Sequence, residues 1–425
     1  MESRKLTPLK NNNPSGKFLS QIQEIINFLN ENYDIRVNCF DPSRSVITSK
    51  KKQYLFPPSF DDISLHCTDS GMSVSDTILR KILRSPNQVK TYNPITEYFE
   101  GLRKQYKGVS HIDLLLSHLT ARDFGDKEEG YYQARMCRIV RKWLVATVAC
   151  ALGKHPNEAA LGFIQREEGV GKTYLTRFLV PDPLKEFYVV SQNPNHNFLL
   201  EDAFAKNLIV NFDEMVGISN RTSDEFKKVI SDRLVVVKHY RDPFPMTVPR
   251  IASAMFTTNR TEELGGFISS NMGTRRFACI ELDGINQAYS TKVDLNQLWA
   301  EAVMLMDQEA FEYKFMMEDY TEFKWYNERY REQTTALRLI ETYYTKPATE
   351  DEGEFQQPQQ ILQEMTKSRL IPSGDKPFVT SQKIGEALKQ LKFERKGNLL
   401  CDAKASPLEL NALGTSSISA YPNAC

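Results

Sequence analysis

The sequence lacks the cysteine pattern of a disulfide scaffold or a zinc site. Its 425 residues include seven cysteines, an odd number, and they are scattered, with no C-x-x-C pair among them. The six histidines are scattered as well. These absences argue against a disulfide framework and against a zinc-binding fold, and they favour the reducing cytoplasm as the location of the protein.

Long hydrophobic runs and an excess of one charge are also missing. No stretch of about 18 apolar residues occurs, so the sequence predicts no membrane span, and the N-terminus has no apolar core of signal-peptide length. Lysine plus arginine equals aspartate plus glutamate at 54 each. Because the net charge is zero, any basic surface for nucleic acid must be local. The 41% of hydrophobic residues is an ordinary globular share, which allows a sizeable core.

The hydrophobic pattern divides the chain into segments of different kinds. A long amphipathic helix is predicted from about Tyr131 to Leu152. After Gly153, short apolar strands alternate with helices, which predicts an α/β core with a mainly parallel sheet. The predicted segments are a disordered arm (1–16), a mostly helical domain (17–125), the core with its leading helix (126–310), a helical connector and linker (311–354), a small helical unit ending in a hairpin (355–400) and a disordered tail (401–425).

The strongest local signal is the segment REEGVGKT (166–173), which lies between an apolar strand and a helix. A helix N-terminus offers free N–H groups and a positive dipole end to phosphate, and glycines let the backbone wrap around it. Lys172 is predicted to reach the β- and γ-phosphates, and Thr173 to place its hydroxyl on Mg²⁺. Arg166 replaces the first glycine of the usual pattern, so the turn is expected to begin differently. The predicted nucleotide contacts are Glu168, Gly169, Val170, Gly171, Lys172, Thr173 and Tyr174.

Two later strands end in polar residues. NLIVNFDEM places Asp213 and Glu214 at a strand end, where Asp213 is predicted to hold Mg²⁺ through water and Glu214 to polarise the attacking water. SAMFTTNR places Asn259 at another strand end, where an amide can orient that water. The alternative for each residue is a polar cap of its strand. With the predicted phosphate loop (166–173) upstream, the sequence favours the catalytic interpretation.

Arg275 and Arg276 precede the next strand, in NMGTRRFACIEL. An arginine from a neighbouring subunit can neutralise charge in a phosphoryl transition state. The alternative is an arginine pair in surface ion pairs. The sequence does not decide which of the two would act.

A basic hairpin is predicted between the acidic strand and the Asn259 strand. Its strands are Leu234–His239 and Pro245–Val248. The residues predicted to contact DNA are Lys238, His239, Tyr240 and Arg241. The cationic groups would follow a phosphate backbone, and the tyrosine would stack on a base. From these residues alone, an ordinary hairpin with a solvated tip is an equally good interpretation.

In this order and spacing, GVGKT, NFDEM, TTNR and GTRRF resemble the motifs of superfamily 3 helicases, and more narrowly those of the virulence-associated protein E family of phages and mobile elements. The resemblance covers roughly residues 18 to 395, and its specific part is the core from Leu161 to Leu282. It implies an AAA+-like ATPase that uses ATP and Mg²⁺, works as a homo-oligomeric ring, often a hexamer, and grips single-stranded DNA with its hairpin. Residues 355–400 resemble a winged helix, which would contact duplex DNA or serve only in packing.

These features lead to the hypothesis of an ATP-dependent DNA helicase or translocase that acts on single-stranded or forked DNA in the replication of a phage or mobile element. Many members of the family that the chain resembles also carry a primase domain. The sequence has no carboxylate cluster of a primase, so any primase would be a separate chain. The main alternative is a P-loop ATPase that acts as a switch in signalling or defence without unwinding DNA. A DNA-binding module with a vestigial site and a small-molecule kinase agree less well with the motifs.

Overall fold

A computed structural model describes most of the chain. The described residues are 15–40, 46–85, 88–191, 200–215, 220–237, 245–269, 272–346, 354–372, 375–393, 395–396 and 399–404. The helices are, in chain order, α1 (Ser15–Asn32), α2 (Phe60–Asp69), α3 (Asp76–Arg84), α4 (Pro94–Gly101), α5 (His111–Leu116), α6 (Tyr131–Ala151), α7 (Lys172–Phe178), α8 (Leu200–Lys206), α9 (Asn220–Ser231), α10 (Tyr289–Lys292), α11 (Leu295–Asp307), α12 (Met317–Asn327), α13 (Thr335–Tyr343), α14 (Pro358–Lys367) and α15 (Ser381–Gln390).

Most strands are short and apolar. They are β1 (Tyr33–Asn38), β2 (Val46–Ser49), β3 (Lys90–Tyr92), β4 (Leu119–Ala121), β5 (Ala160–Ile164), β6 (Tyr188–Ser191), β7 (Ile209–Phe212), β8 (Leu234–Val237), β9 (Met246–Pro249), β10 (Ser253–Thr258), β11 (Phe277–Ile285), β12 (Tyr344–Thr345), β13 (Glu354–Gln356), β14 (Arg395–Lys396) and β15 (Leu399–Lys404).

The central sheet has the strand order β4-β11-β5-β10-β7-β6 in the described residues. The five strands from β11 to β6 run parallel. The outermost strand, β4, pairs antiparallel with β11. Every residue of β5, β7 and β10 is buried, as expected for parallel strands that helices cover on both faces. The predicted α/β core with a mainly parallel sheet is confirmed.

The helix α6 lies against the sheet and anchors the core. It spans 21 residues and matches the long helix predicted from the apolar periodicity. Trp143 is fully buried, and its indole N–H donates to the carbonyl oxygen of Ala159 at 3.1 Å, just before β5 begins. None of the helices in the described ranges combines the length and apolar character needed to cross a bilayer.

The N-terminal region combines its predicted helices with a small sheet. The alternating pattern of YDIRVNCF (33–40) predicts a strand, and β1 confirms it, but the sequence did not predict the other two strands. The strand β1 pairs antiparallel with β2 and parallel with β3, and the helices α1, α2 and α3 cover one face with their own apolar cluster. The strand β3 is only three residues long and pairs with a strand far away in the sequence. Neither property leaves a periodic signal that could be read locally.

The C-terminal helices α13, α14 and α15 share one apolar cluster, and β15 pairs with β12, β13 and β14. The helix α13 lies in the segment assigned above to the connector, yet its apolar face packs with residues 355–400. The strand β15 extends to Lys404 and so enters the segment predicted to be a tail. Residues 405–425, and residues 1–14 of the predicted arm, lie outside the described residues.

Candidate functional site

The carboxyl ends of three neighbouring parallel strands meet at one edge of the sheet. The registers pair Thr258 with Ile164 and Phe256 with Phe212. The segments that follow β5, β7 and β10 are the phosphate loop, the acidic pair and Asn259. Since the strands are parallel, these segments lie side by side, at the edge where open α/β sheets bind ligands.

The phosphate loop takes its sharp turns at glycines. Gly169 has a φ of 73° and Gly171 a φ of 98°, values that residues with a Cβ rarely adopt. The non-glycine residues with positive φ in the described ranges are Lys104, Glu214, Arg369 and Lys392. Arg166 is therefore not strained, and the loop begins without the left-handed turn that a glycine would allow at this position.

Lys172 points back into its own loop. Its side chain is buried, with 7% of its surface exposed, and Nζ donates to the carbonyl oxygens of Gln165 at 3.2 Å and Glu167 at 2.8 Å. Burial lowers the pKa of Lys172, and the carboxylates of Glu168, Asp213 and Glu214 oppose that shift. The loop thus holds an ammonium group beside the N-terminus of α7.

Thr173 and Asp213 form the contact between the loop and the acidic strand. The Thr173 hydroxyl donates to Oδ1 of Asp213 at 2.9 Å, and the hydroxyl of Thr257 donates to the same oxygen. A hydroxyl and a carboxylate are the oxygen donors that Mg²⁺ takes from a protein when phosphates and water complete its shell. The described residues hold no cluster of three or more His, Cys, Asp and Glu side chains that could bind a metal ion.

Glu214 has an unusual backbone. Its φ is 52°, in the left-handed region, which costs a residue with a side chain about 1–2 kcal/mol. The side chain is exposed and lines the cavity beside Thr173. Strain of this kind is found mainly at sites where the surrounding structure needs one particular orientation. Nothing in the sequence indicated this conformation.

Asn259 reaches across to the phosphate loop. Its Nδ2 donates to Oε1 of Glu168 at 3.3 Å. Together with the residues above it encloses a cavity of about 330 Å³. The lining residues are Glu168, Gly169, Val170, Gly171, Lys172, Thr173, Tyr174, Asp213, Glu214, Thr257, Thr258 and Asn259. Sequence reasoning missed Thr257, which lies near the end of β10, two residues before Asn259.

Arg275 and Arg276 do not join this cavity. They immediately precede β11, and the register pairs Phe277 with Ala160, the first residue of β5. The phosphate loop follows the other end of β5, about 13 Å away at the usual rise per residue of a strand. The arginine pair therefore lies at the opposite edge of the sheet from the phosphate loop of its own chain.

The helices α9 and α12 hold residues 274–277, the arginine segment, in place. Asn327 of α12 donates from Nδ2 to the carbonyl oxygens of Thr274 and Phe277, both at 2.7 Å. Phe226 of α9 stacks on Phe277, with ring centroids 5.6 Å apart and planes 13° apart. Contacts from both helices therefore hold the backbone of the two arginines in position.

The two arginines differ in their surroundings. Arg276 is half-buried, and its Nε donates to Oγ of Ser231 at 3.2 Å. Burial, followed by the charge of Arg275, lowers the pKa of Arg276. Arg275 is exposed, and within the described ranges its guanidinium forms no hydrogen bond or ion pair. The segment therefore presents positive charge to the outside of the molecule.

The predicted hairpin is formed by β8 and β9, which pair antiparallel from Leu234↔Pro249 to Val237↔Met246. Its base is held by Arg250, which is buried and donates from Nε to the carbonyl oxygen of Asp232 at 3.0 Å. Nη2 of the same residue donates to the carbonyl oxygen of Asn157 at 3.2 Å. The turn, with Lys238, His239, Tyr240 and Arg241, lies outside the described residues.

A family comparison covers the region that contains this site. The model of the virulence-associated protein E-like domain matches residues 102–333, which is more than half of the chain. No curated protein matches the sequence. The matched region contains every strand of the central sheet, the phosphate loop and the arginine segment.

Solved structures provide weaker likenesses. The apo structure of the NrS-1 C-terminal region (305-718) is 13% identical, with a TM-score of 0.42, and the match covers 87% of this chain and 88% of that chain. The X-ray structure of JCV helicase is 11% identical, with a TM-score of 0.28, over 63% of this chain and 77% of that chain. At these scores neither likeness by itself assigns a function to the chain.

Proposed function

The chain belongs to the virulence-associated protein E-like domain family, and we propose that it is an ATP-hydrolysing DNA helicase or translocase of the superfamily 3 type. Its substrate would be single-stranded or forked DNA in the replication of a phage or mobile element. The observation that carries the proposal is the meeting of the phosphate loop, the acidic pair and Asn259 at one sheet edge, where Thr173 donates to Asp213 at 2.9 Å.

The proposed binding step uses the loop and the start of α7. The backbone N–H groups of Gly169 to Thr173 surround the triphosphate, and the positive end of the helix dipole adds to the attraction. Lys172 exchanges its two carbonyl partners in the loop for the β- and γ-phosphate oxygens. Thr173 and Asp213 would hold Mg²⁺, which supplies positive charge against the phosphate oxygens when it is bound.

The proposed hydrolytic step uses the acidic pair and Asn259. The Glu214 carboxylate accepts a proton from a water molecule, and the water oxygen bonds to the γ-phosphorus while the bond to the β-phosphate oxygen breaks, so that ADP and phosphate form. The Asn259 amide orients that water, and its hydrogen bond to Glu168 ties it to the loop. Positioning and fixed charge, rather than covalent chemistry, carry the rate enhancement.

The position of the arginine pair favours a site shared between subunits. Arg275 and Arg276 lie at the opposite edge of the sheet from their own phosphate loop, so they reach a γ-phosphate only on another chain. An arginine that enters from a neighbour stabilises the charge of the transition state. The family resemblance supports a ring of identical subunits, with a hexamer as the expected size.

The helix α9 connects the ATP site with the hairpin. It begins shortly after the acidic pair, contacts the arginine segment through Phe226 and Ser231, and ends three residues before β8. Hydrolysis at the chain's own ATP site, or at the neighbouring site that its arginines reach, would therefore displace the base of the hairpin. Lys238, His239, Tyr240 and Arg241 at its turn would hold single-stranded DNA in the centre of the ring.

ATP-dependent unwinding of a forked duplex tests the proposal. The native protein should separate the strands, and the Lys172→Ala variant should not, although circular dichroism shows it still folded. Lys324→Ala, which removes an exposed lysine from α12, is the matched control and should unwind normally. ATP hydrolysis without strand separation would instead support a P-loop switch, and hydrolysis retained by Lys172→Ala would overturn the assignment of the loop.

A further inference from the structure

An ion-pair bridge joins the segment after Asn259 to the strand beside the phosphate-loop strand. The guanidinium of Arg122, which follows β4 directly, donates from Nη1 to Oε1 of Glu281 at 2.5 Å and from Nη2 to Oε1 of Glu263 at 2.6 Å. Glu281 belongs to β11, and Glu263 follows Asn259 by four residues. One arginine therefore holds two carboxylates that come from different parts of the sheet.

Glu281 is the fixed end of this bridge. Its side chain is buried, with 2% of its surface exposed, and the hydroxyl of Tyr330 donates to its Oε2 at 2.8 Å. Burial raises the pKa of Glu281, and the hydrogen bonds from Arg122 and Tyr330 oppose that shift. A buried carboxylate whose two oxygens are both engaged cannot move without losing its partners, so Glu281 is a rigid point of attachment.

Glu281 lies level with the end of the strand that leads into the phosphate loop. The registers pair Glu281 and Thr258 with the same residue, Ile164, from its two sides. Ile164 is the last residue of β5, and Asn259 follows Thr258 directly. The bridge from Glu281 to the segment after Asn259 therefore passes from one side of β5 to the other, at the sheet edge that carries the candidate site.

The segment that carries Glu263 is a compact turn that begins at Asn259. The carbonyl oxygen of Asn259 accepts from the N–H of Thr261 at 2.9 Å, and the carbonyl oxygen of Thr261 accepts from the N–H of Gly266 at 3.0 Å. Glu263 lies inside the loop that the second of these bonds closes. Its position and that of Asn259 are therefore linked through the backbone.

The ion pair between Arg122 and Glu263 is partly exposed. The side chain of Glu263 leaves 44% of its surface exposed, and an ion pair at this exposure contributes little to stability. The hydrogen bond from Arg122 nevertheless lowers the pKa of Glu263 to about 2, so the carboxylate stays charged at neutral pH. Because the pair adds little stability, we expect its main effect on the position of the turn.

We propose that Arg122 is a positioning residue for ATP hydrolysis, which holds Glu263 and thereby keeps the Asn259 amide in place for the attacking water. This inference rests on the proposed ATPase function, in which Asn259 orients that water. Arg122 is not among the described residues that line the phosphate cavity, so it acts through Asn259. The planar guanidinium suits this task, because its fixed fork of N–H groups can hold two carboxylates at once.

Steady-state ATP hydrolysis tests this role. Glu263→Gln removes the ion pair at nearly constant size, and kcat should fall by about 10-fold, since a displacement of about 1 Å in a positioning group costs up to about 100-fold. The KM for ATP should stay within about twofold, because the phosphate loop is intact. Glu262→Gln, at the exposed neighbouring position of the same turn, is the matched control and should keep the native kcat.

Two further variants separate positioning from a purely structural ion pair. If Glu263 acts through Asn259, then adding Glu263→Gln to an Asn259→Ala variant should lower kcat no further. Arg122→Lys keeps a positive charge beside Glu281 but lacks the fork, so it should lower kcat by a factor similar to that of Glu263→Gln. Circular dichroism checks that each variant is folded.

A native kcat in Glu263→Gln would overturn the inference and leave the ATPase proposal standing. An equal loss from this substitution in the native and Asn259→Ala backgrounds would also overturn it, because the effect would then bypass Asn259. A raised KM at unchanged kcat would assign Glu263 to nucleotide binding and contradict the positioning role. If the native protein hydrolysed no ATP, the ATPase proposal itself would fail, and the inference with it.

Discussion

The hydroxyl of Thr173 donates a 2.9 Å hydrogen bond to Oδ1 of Asp213, 40 residues further along the chain. This contact joins the phosphate loop to the end of β7. Because the oxygen atoms of both side chains already converge, the cost of assembling them around a cation is small. The geometry therefore leads to predictions about Mg²⁺, about the subunit interface, about the strand that carries the loop and about DNA.

The first prediction concerns the Mg²⁺ requirement. Asp213→Asn keeps the size of the side chain but removes its charge, so the Mg²⁺ concentration that gives half-maximal ATP hydrolysis should rise by about 10- to 100-fold. A titration of hydrolysis against Mg²⁺ measures this shift. Asp61→Asn, on the exposed surface of α2, is the control. An unchanged Mg²⁺ dependence in Asp213→Asn would remove Asp213 from the metal site.

The second prediction concerns the arginine pair. A variant with Arg275→Ala and Arg276→Ala keeps its phosphate loop, and Lys172→Ala keeps its arginines. Each alone should hydrolyse ATP at least about 100-fold more slowly than the native protein, since an arginine supplied to the γ-phosphate is worth about 10³–10⁵ in rate. A mixture of the two should recover part of the activity, because some interfaces then combine an intact loop with an intact arginine pair.

Recovery in the mixture requires that the two variants exchange subunits. A different label on each variant can verify that mixed complexes form. Mixed complexes that stay inactive would contradict an arginine supplied by a neighbour. The single variants Arg275→Ala and Arg276→Ala, mixed in the same way, then identify which of the two residues acts. Arg276 is already engaged with Ser231, so its loss should also lower the melting temperature, whereas loss of Arg275 should not.

The third prediction concerns the strand that leads into the phosphate loop. A Cβ on Gly162 would lie 1.8 Å from Cζ of Phe256, and Phe256 is fully buried. Gly162→Ala should therefore lower the free energy of unfolding by about 1–3 kcal/mol, measured by denaturant titration. Adding Phe256→Leu to the Gly162→Ala variant should restore part of the lost free energy of unfolding. Gly101→Ala, where a Cβ meets nothing within 4 Å, is the control and should not destabilise the protein.

The fourth prediction concerns the hairpin turn. Lys238→Ala should leave hydrolysis without DNA unchanged, weaken binding to single-stranded DNA, and reduce the slope of log affinity against log salt by about 1. Fluorescence anisotropy across a salt series measures both quantities. Lys324→Ala removes an equal charge from α12 and should affect neither. An unchanged slope in Lys238→Ala would show that this lysine does not contact a phosphate.

Much of the sheet edge could be predicted because its signals are local. The strands before Gln165, Asp213 and Asn259 are short apolar runs, and the polar motif residues follow them directly. Parallel strands place their carboxyl ends together, so the order of the motifs already suggested that these residues would meet. The long helix α6 was likewise evident from its periodicity.

The remaining features depend on contacts between distant parts of the chain. Arg276 lies on the opposite side of the sheet from the phosphate loop because Phe277 pairs with Ala160. No local sequence pattern specifies this register. Arg250 looks like a surface residue in the sequence, yet it is buried because three backbone carbonyl groups accept its N–H donors. The left-handed backbone of Glu214 has no signature in side-chain type.

The most direct test of the proposed DNA motor is the rate of ATP hydrolysis by the native protein, with and without single-stranded DNA, across a series of salt concentrations. We expect hydrolysis that DNA stimulates strongly, with a stimulation that decreases as salt rises, because cationic groups hold the strand. Hydrolysis that does not respond to DNA at any salt concentration would contradict the motor and favour the P-loop switch. No hydrolysis at all would contradict the ATPase and direct attention to Arg166 in the loop.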